Sequence, residues 1–288
     1  DGSGSSASGG PTTGTRDRFD RLIAPAMITP APCPSAFPRL SQRARESLQQ
    51  SSRRCFFADW KRVVMVHFAV DPDQLQVEIP LPLDLLHGRA VVSLVAFRME
   101  RMRFVRGSVV TRWLTAPIAS HHFLNVRTYV RSAVGPAIFF QTEWLDNRLA
   151  VALGPLTFGL PYRSARISYH QDPGAASSHL ELRGEVTASC GSFVYWADTS
   201  GSPSVATPGS DDEFLLERYT GTCADRGILR HFQVWHPAWQ VRRLRHCEFA
   251  DTSLIGHSGC PWWRQAEFLG GHECGDLTDV WMGRPWRA

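Results

Sequence analysis

Apolar side chains fill almost all of residues 62–70 (RVVMVHFAV), interrupted only by Arg62 and His67. A strand that is apolar on both faces must be covered on both, so this run predicts a central β-strand, ended by Asp71-Pro72. Residues 89–105 (RAVVSLVAFRMERMRFV), 123–132 (FLNVRTYVRS) and 137–146 (AIFFQTEWLD) carry the same β-branched and aromatic signature, with Gly135-Pro136 as turn residues between the last two. Further strands are expected at 164–171, 179–189 and 227–236. The 10 to 15 residue crossover helices of a doubly wound fold are missing, which points to an α+β, mainly antiparallel β sheet or barrel.

Helical signals are short. Asp71 followed by Pro72 reads as an N-cap and first helical position for one or two turns, Asn147 can cap a helix through RLAVALG, and another helix starts at Asp211 or Asp212. Residues 1–15 form a Gly/Ser/Thr tract that cannot bury enough apolar surface to order itself, so a disordered tail is expected. Residues 16–54 read as a Pro- and Arg-rich peripheral arm with one helix at 41–50, and 55–288 as a single β-barrel domain.

Composition narrows the functional classes. The net charge of +4 is spread along the chain without a basic run, so no nucleic-acid partner is expected, and no apolar stretch is long enough to predict a membrane span. Lys61 is the only lysine, hence the one candidate for an amine nucleophile. Seven cysteines lack any C-x-x-C pair; with no signal segment at the start of the chain, a reducing cytoplasmic compartment is expected. His121-His122 point to opposite faces of a strand, and His231 and His236 are also out of phase, so neither pair chelates within a regular strand and no metal is expected.

Candidate chemistry begins on 123–132, where alternation groups Asn125, Arg127 and Tyr129 on one face. Facing a barrel interior, Arg127 would offer a planar fork to a carboxylate, either a ligand's or that of Glu143 on the next strand; facing outward, the three would simply be solvated. His67 reads first as a neutral, hydrogen-bonded core residue and second as a ligand contact. Glu217, Tyr219, His236 and Trp239 form either a salt-bridged, Trp-stapled turn or part of a site. Residues 153–163 (LGPLTFGLPYR) place glycine and proline where the chain can be pinned at corners, aiming Tyr162 and Arg163.

Taken in order, HFAV, FLNVRTYV, EW, NRLAV, FGLPY, ERY and HPAW resemble the YqjF-like family, an uncharacterised group within the acetoacetate decarboxylase-like superfamily. The resemblance covers about residues 56–255 and the final HECGDLTDVW. It implies a closed, strongly bent β-barrel with a few peripheral helices and an interior cavity. The decarboxylase carries Gly-Phe-Pro-Lys-Lys with a Schiff-base lysine, so the resemblance puts Tyr162 at the lysine's position and Arg163 at that of its cationic neighbour. A phenol forms no imine. Phe123 also stands where the family often has a glutamate.

These readings converge on a small-molecule ligand, a carboxylate or oxo acid, with no cofactor. Tyr162 and Arg163 are the candidate catalytic pair, acting in lyase-like or enolate-type chemistry without a Schiff base. Asn125, Arg127, Glu143, Tyr219, His67 and His236 are the candidate ligand contacts. The alternative is a non-catalytic scaffold whose 16–54 arm contacts other proteins, which a filled barrel interior would favour. Homo-oligomers are compatible with either.

Overall fold

Seven strands close into a barrel, and five more continue from it as a second sheet. The structure is a computed structural model that describes residues 39–51, 53–173, 179–199, 201–256 and 260–287, all within one compact unit. The expected tail at 1–15 and most of the expected arm at 16–54 lie outside the described residues.

In chain order the first strands are β1 (Arg54–Val70), β2 (Ala90–Phe104), β3 (His121–Ser132), β4 (Gly135–Leu145), β5 (Tyr162–Ser164), β6 (Arg166–Pro173) and β7 (Leu180–Ala188). The rest are β8 (Gly191–Thr199), β9 (Thr220–Asp225), β10 (Ile228–Trp235), β11 (Val241–Asp251), β12 (Glu267–Cys274), β13 (Leu277–Gly283) and β14 (Trp286–Arg287). The order β13-β10-β9-β4-β3-β2-β1 closes through a second pairing of β1 with β13, making the barrel. β12-β11-β8-β7-β6 extends beyond β1 as the second sheet. Pairing is antiparallel except for β4 with β9 and β4 with β5, so the barrel is mixed.

β1 does two jobs. Its first half pairs with β13 to close the barrel and its second half, from Val63, pairs with β12 to start the second sheet. Arg62, at φ 53°, sits at the break in register between them, and Arg101, at φ 52°, marks a comparable kink in β2. Such bulges bend strands strongly enough to close a small barrel. From Val63 to Val70 every residue is buried: Val63 and Met65 pack into the barrel, while Val64, Val66 and Phe68 pack under the second sheet with Phe193, Tyr195 and Trp262. That double cover is what the unbroken apolar run demands.

The helices are α1 (Leu40–Gln50), α2 (Pro72–Gln76), α3 (Val109–Thr115), α4 (Arg148–Thr157), α5 (Asp211–Leu216) and α6 (Ser253–Gly256). Asp71 caps α2 by accepting from Gln74 N at 2.9 Å, and Asn147 caps α4 by accepting from Ala150 N at 3.0 Å, as their positions predict. α1 docks on β10, where Ser41 Oγ donates to His236 O at 2.6 Å and Leu48 is fully buried. Two local expectations differ. The β3–β4 turn is Ala133-Val134, with Gly135 and Pro136 already in β4, and Gly154-Pro155 is no corner but the last turns of α4. The αL residue that ends that helix is Gly159, at φ 73°.

Candidate functional site

The barrel is hollow. Its interior holds a cavity of about 450 Å³, within the usual range for a small-molecule site. The filled interior that would favour a scaffold is absent.

Three neighbouring strands set the polar groups side by side. Asn125 on β3 stands opposite Glu143 on β4, and Glu143 stands beside Tyr162 on β5 through the parallel pairing. Arg127 lies one inward-facing position deeper on β3, and His236 enters from the segment after β10. All five line the cavity. Asn125, Arg127 and Tyr129 therefore face inward, Tyr129 below the floor, where its hydroxyl donates to Leu215 O at 2.8 Å.

Tyr162 is held by backbone. Pro161 O accepts from Glu143 N at 3.1 Å, and Gly154 on α4 lies so close to the Tyr162 ring that a side chain at 154 would overlap it. The glycines and prolines of 153–163 thus deliver one ring to the cavity wall.

Among the described residues, four buried polar atoms facing this interior have no hydrogen-bond partner: Asn125 Oδ1, Arg127 Nε, Glu143 Oε2 and His121 Nδ1. Among the described residues the Arg127 side chain has one hydrogen-bond contact, Nη2 with Met65 Sδ at 3.4 Å, and no carboxylate within ion-pair distance. Arg218, the other cavity arginine, is neutralised by Asp84 at 2.9 Å. Burial raises the Glu143 carboxyl to about 8, against the pull of Arg127, so it is protonated at neutral pH. Burial also lowers His236 and His121 to about 4, leaving both neutral. For Tyr162, burial and then the neighbouring Glu143 push the phenol well above its ordinary value. The Arg127 guanidinium is left as the uncompensated charge.

Not every expected site residue joins this group. Arg163 is exposed on the barrel exterior, because adjacent strand residues point to opposite faces and Tyr162 points in. His67 is fully buried below the cavity, its Nδ1 bonded to Ser93 Oγ at 2.7 Å and its Nε2 to His272 Nδ1 at 3.1 Å; it is a core residue. Tyr219 hydrogen-bonds Glu217 and packs at a tilt against His236, so it supports the wall rather than lining it. Lys61 pairs with Asp276 at 3.2 Å and does not line the cavity. His121, a lining residue, was legible by extending the alternation of 123, 125 and 127 back by two; its neighbour His122 points away to Asp146 at 2.7 Å. Trp60 and Arg218, also lining, had no such signal, since the bulge at Arg62 shifts the phase of β1 and Arg218 follows a helix. Among the described residues no group of three or more His, Cys, Asp or Glu is placed to hold a metal ion.

The family model DUF2071, described as an uncharacterized conserved protein, matches residues 57–268. The uncharacterized protein YqjF of Bacillus subtilis strain 168 is 29% identical over 202 residues, 69% of this chain and 79% of the relative. Among solved structures, an acetoacetate decarboxylase-like enzyme from Sphingomonas wittichii RW1 superposes with a TM-score of 0.59 at 11% identity, covering 82% of this chain and 93% of that one. The enduracididine biosynthesis enzyme MppR, complexed with pyruvate, superposes with a TM-score of 0.54 at 13% identity over 81% and 90%. These likenesses establish an acetoacetate decarboxylase-like fold.

Proposed function

The chain belongs to the DUF2071 family, and from the geometry of its barrel we propose that the interior binds a small molecule bearing a carboxylate or carbonyl group at Arg127. The observation that carries this is the unpaired guanidinium. A cation held in an apolar hollow without a counter-ion is costly, and an anionic ligand would remove that cost while satisfying Nε. Asn125, protonated Glu143 and Tyr162 would complete the contacts, the latter two as donors to a ligand oxygen. MppR, of the same fold, is complexed with pyruvate, which has this chemistry.

The same groups supply acid chemistry. An oxo acid bound here would meet two neutral donors beside a fixed cation, an arrangement that stabilises, without an imine, the enolate formed when its α-proton passes to the neutral His236 ring that lines the cavity. Arg163 takes no part. Six described cysteines are free, which fits a reducing cytoplasm. Self-association into a homo-oligomer belongs to the same reading.

Thermal shift with a carboxylate panel including pyruvate tests binding. A ligand at a hundred times its Kd adds about 2.7 kcal/mol to stability. Wild type and Arg163→Ala are expected to shift equally and Arg127→Gln not at all; equal shifts in all three reject the assignment. Loss of the pyruvate methyl signal in D2O, followed by NMR, tests enolisation.

A further inference from the structure

Asn125, Arg127, Glu143 and Tyr162 cluster at one level of the cavity, and the neutral His121 ring stands apart from them, opposite Met99. Val95 on β2 stands opposite Asn125, and lining residues continue along β2 through Phe97, Met99 and Met102 to Phe104. β2 bends at Arg101, so these residues wrap the wall, and Leu153 adjoins Gly154, which rests against the Tyr162 ring of the polar level. Toward the mouth the wall is completed by Phe56, Ile118, Phe158 and by two half-open leucines, Leu114 on α3 and Leu153 on α4, 64% and 39% exposed. Beyond the polar level the described lining residues include no carboxylate, ammonium or guanidinium up to this mouth.

Methionine usage follows the cavity. Met65, Met99, Met102 and Met282, all the methionines among the described residues, line it. Unbranched thioethers adjust to apolar bodies of variable shape better than branched side chains do. A short oxo acid would fill only the polar level, leaving most of the roughly 450 Å³ cavity without partner atoms.

Resting on the anion reading above, we propose that the ligand is an amphiphile, with one carboxylate or carbonyl head at Arg127 and Asn125 and a flexible hydrocarbon tail running past Phe97, Met99 and Met102 to Leu114 and Leu153. The tail would also cover the two leucines left open at the mouth.

Calorimetric titration of the full chain with straight-chain alkanoates from butanoate to dodecanoate, and with 1-alkanols of matching length, tests this, each probe below its micellar concentration. Affinity for the alkanoates is expected to rise roughly fourfold per methylene until the tail reaches the mouth. Leu114→Gln with Leu153→Gln is expected to weaken dodecanoate by roughly fivefold or more and leave butanoate unchanged, and these surface positions do not endanger folding. Butanoate binding as tightly as dodecanoate overturns the amphiphile and leaves the anion reading standing. Alkanols gaining affinity with length while no alkanoate binds overturns the anion reading and leaves the apolar channel. Failure of both series overturns both.

Discussion

Asn125 and Glu143 face one another from neighbouring strands, each presenting to the barrel interior a buried oxygen that no group among the described residues satisfies. For Glu143 the consequence is a proton held far into the neutral range, since burial raises its carboxyl from 4.5 to about 8. Between those values the native state binds more protons than the unfolded chain, so this group makes stability fall as pH rises, by about 1.4 kcal/mol per pH unit. Urea unfolding of Glu143→Gln at pH 5 to 8 should lose that downward slope relative to wild type. Parallel curves would mean that Glu143 is already ionised in the folded protein.

His236 contributes the opposite slope. Its ring is packed against Trp60, Tyr219 and Trp239, its Nδ1 donates to Pro237 O at 2.7 Å, and burial lowers it from 6.5 to about 4. Its stabilisation is complete above 6.5 and is lost as pH falls, because the unfolded chain takes up the proton first. His236→Gln should be less stable than wild type at pH 7, with the gap narrowing by about 1.4 kcal/mol per unit between pH 6.5 and 4. A constant gap in urea midpoints across that window would show that the ring is protonated in the native state.

How much of this was legible in the sequence depended on local periodicity. The all-buried run Val63–Val70 and the inward face of Asn125 and Arg127 follow from side-chain alternation, and the caps Asp71 and Asn147 from residue type. Alternation also excludes Arg163 from any site that contains Tyr162, whereas the family resemblance pairs them. β8, β9, β11, β12 and β13 were not read from the pattern: their apolar positions are interspersed with Arg, Thr and Gly, and their pairings join residues far apart in the chain, as in Val63 with Cys274. The missing counter-ion of Arg127 belongs to the same class, since only folding fixes which carboxylates stay out of reach.

Lys61 should form no imine. Its ammonium is engaged by Asp276 on the barrel exterior, and an amine nucleophile needs both access to the ligand and an easily lost proton. Incubation with pyruvate and borohydride should leave the intact mass of the protein unchanged. A trapped adduct that disappears in Lys61→Arg would overturn the imine-free reading of the site.

Gly154 and Tyr162 offer the sharpest test of how the site is built. The backbone of α4 at Gly154 is the surface against which the Tyr162 ring lies, and a methyl group there would overlap Cδ2 and Cε2. Gly154→Ala should therefore cost roughly 1 to 3 kcal/mol through forced displacement of the ring or the helix. The same substitution removes a helical glycine, which by itself favours folding by about 1 kcal/mol. The sign of its effect must then depend on the ring: destabilising with Tyr162 or Tyr162→Phe, stabilising once Tyr162→Ala has emptied the space. A double-mutant cycle in urea midpoints reads this coupling directly, and additivity within about 0.5 kcal/mol would show that the ring does not rest on Gly154. Because Tyr162 is set beside Glu143 through that contact, Gly154→Ala should also weaken carboxylate binding while Arg163→Ala does not.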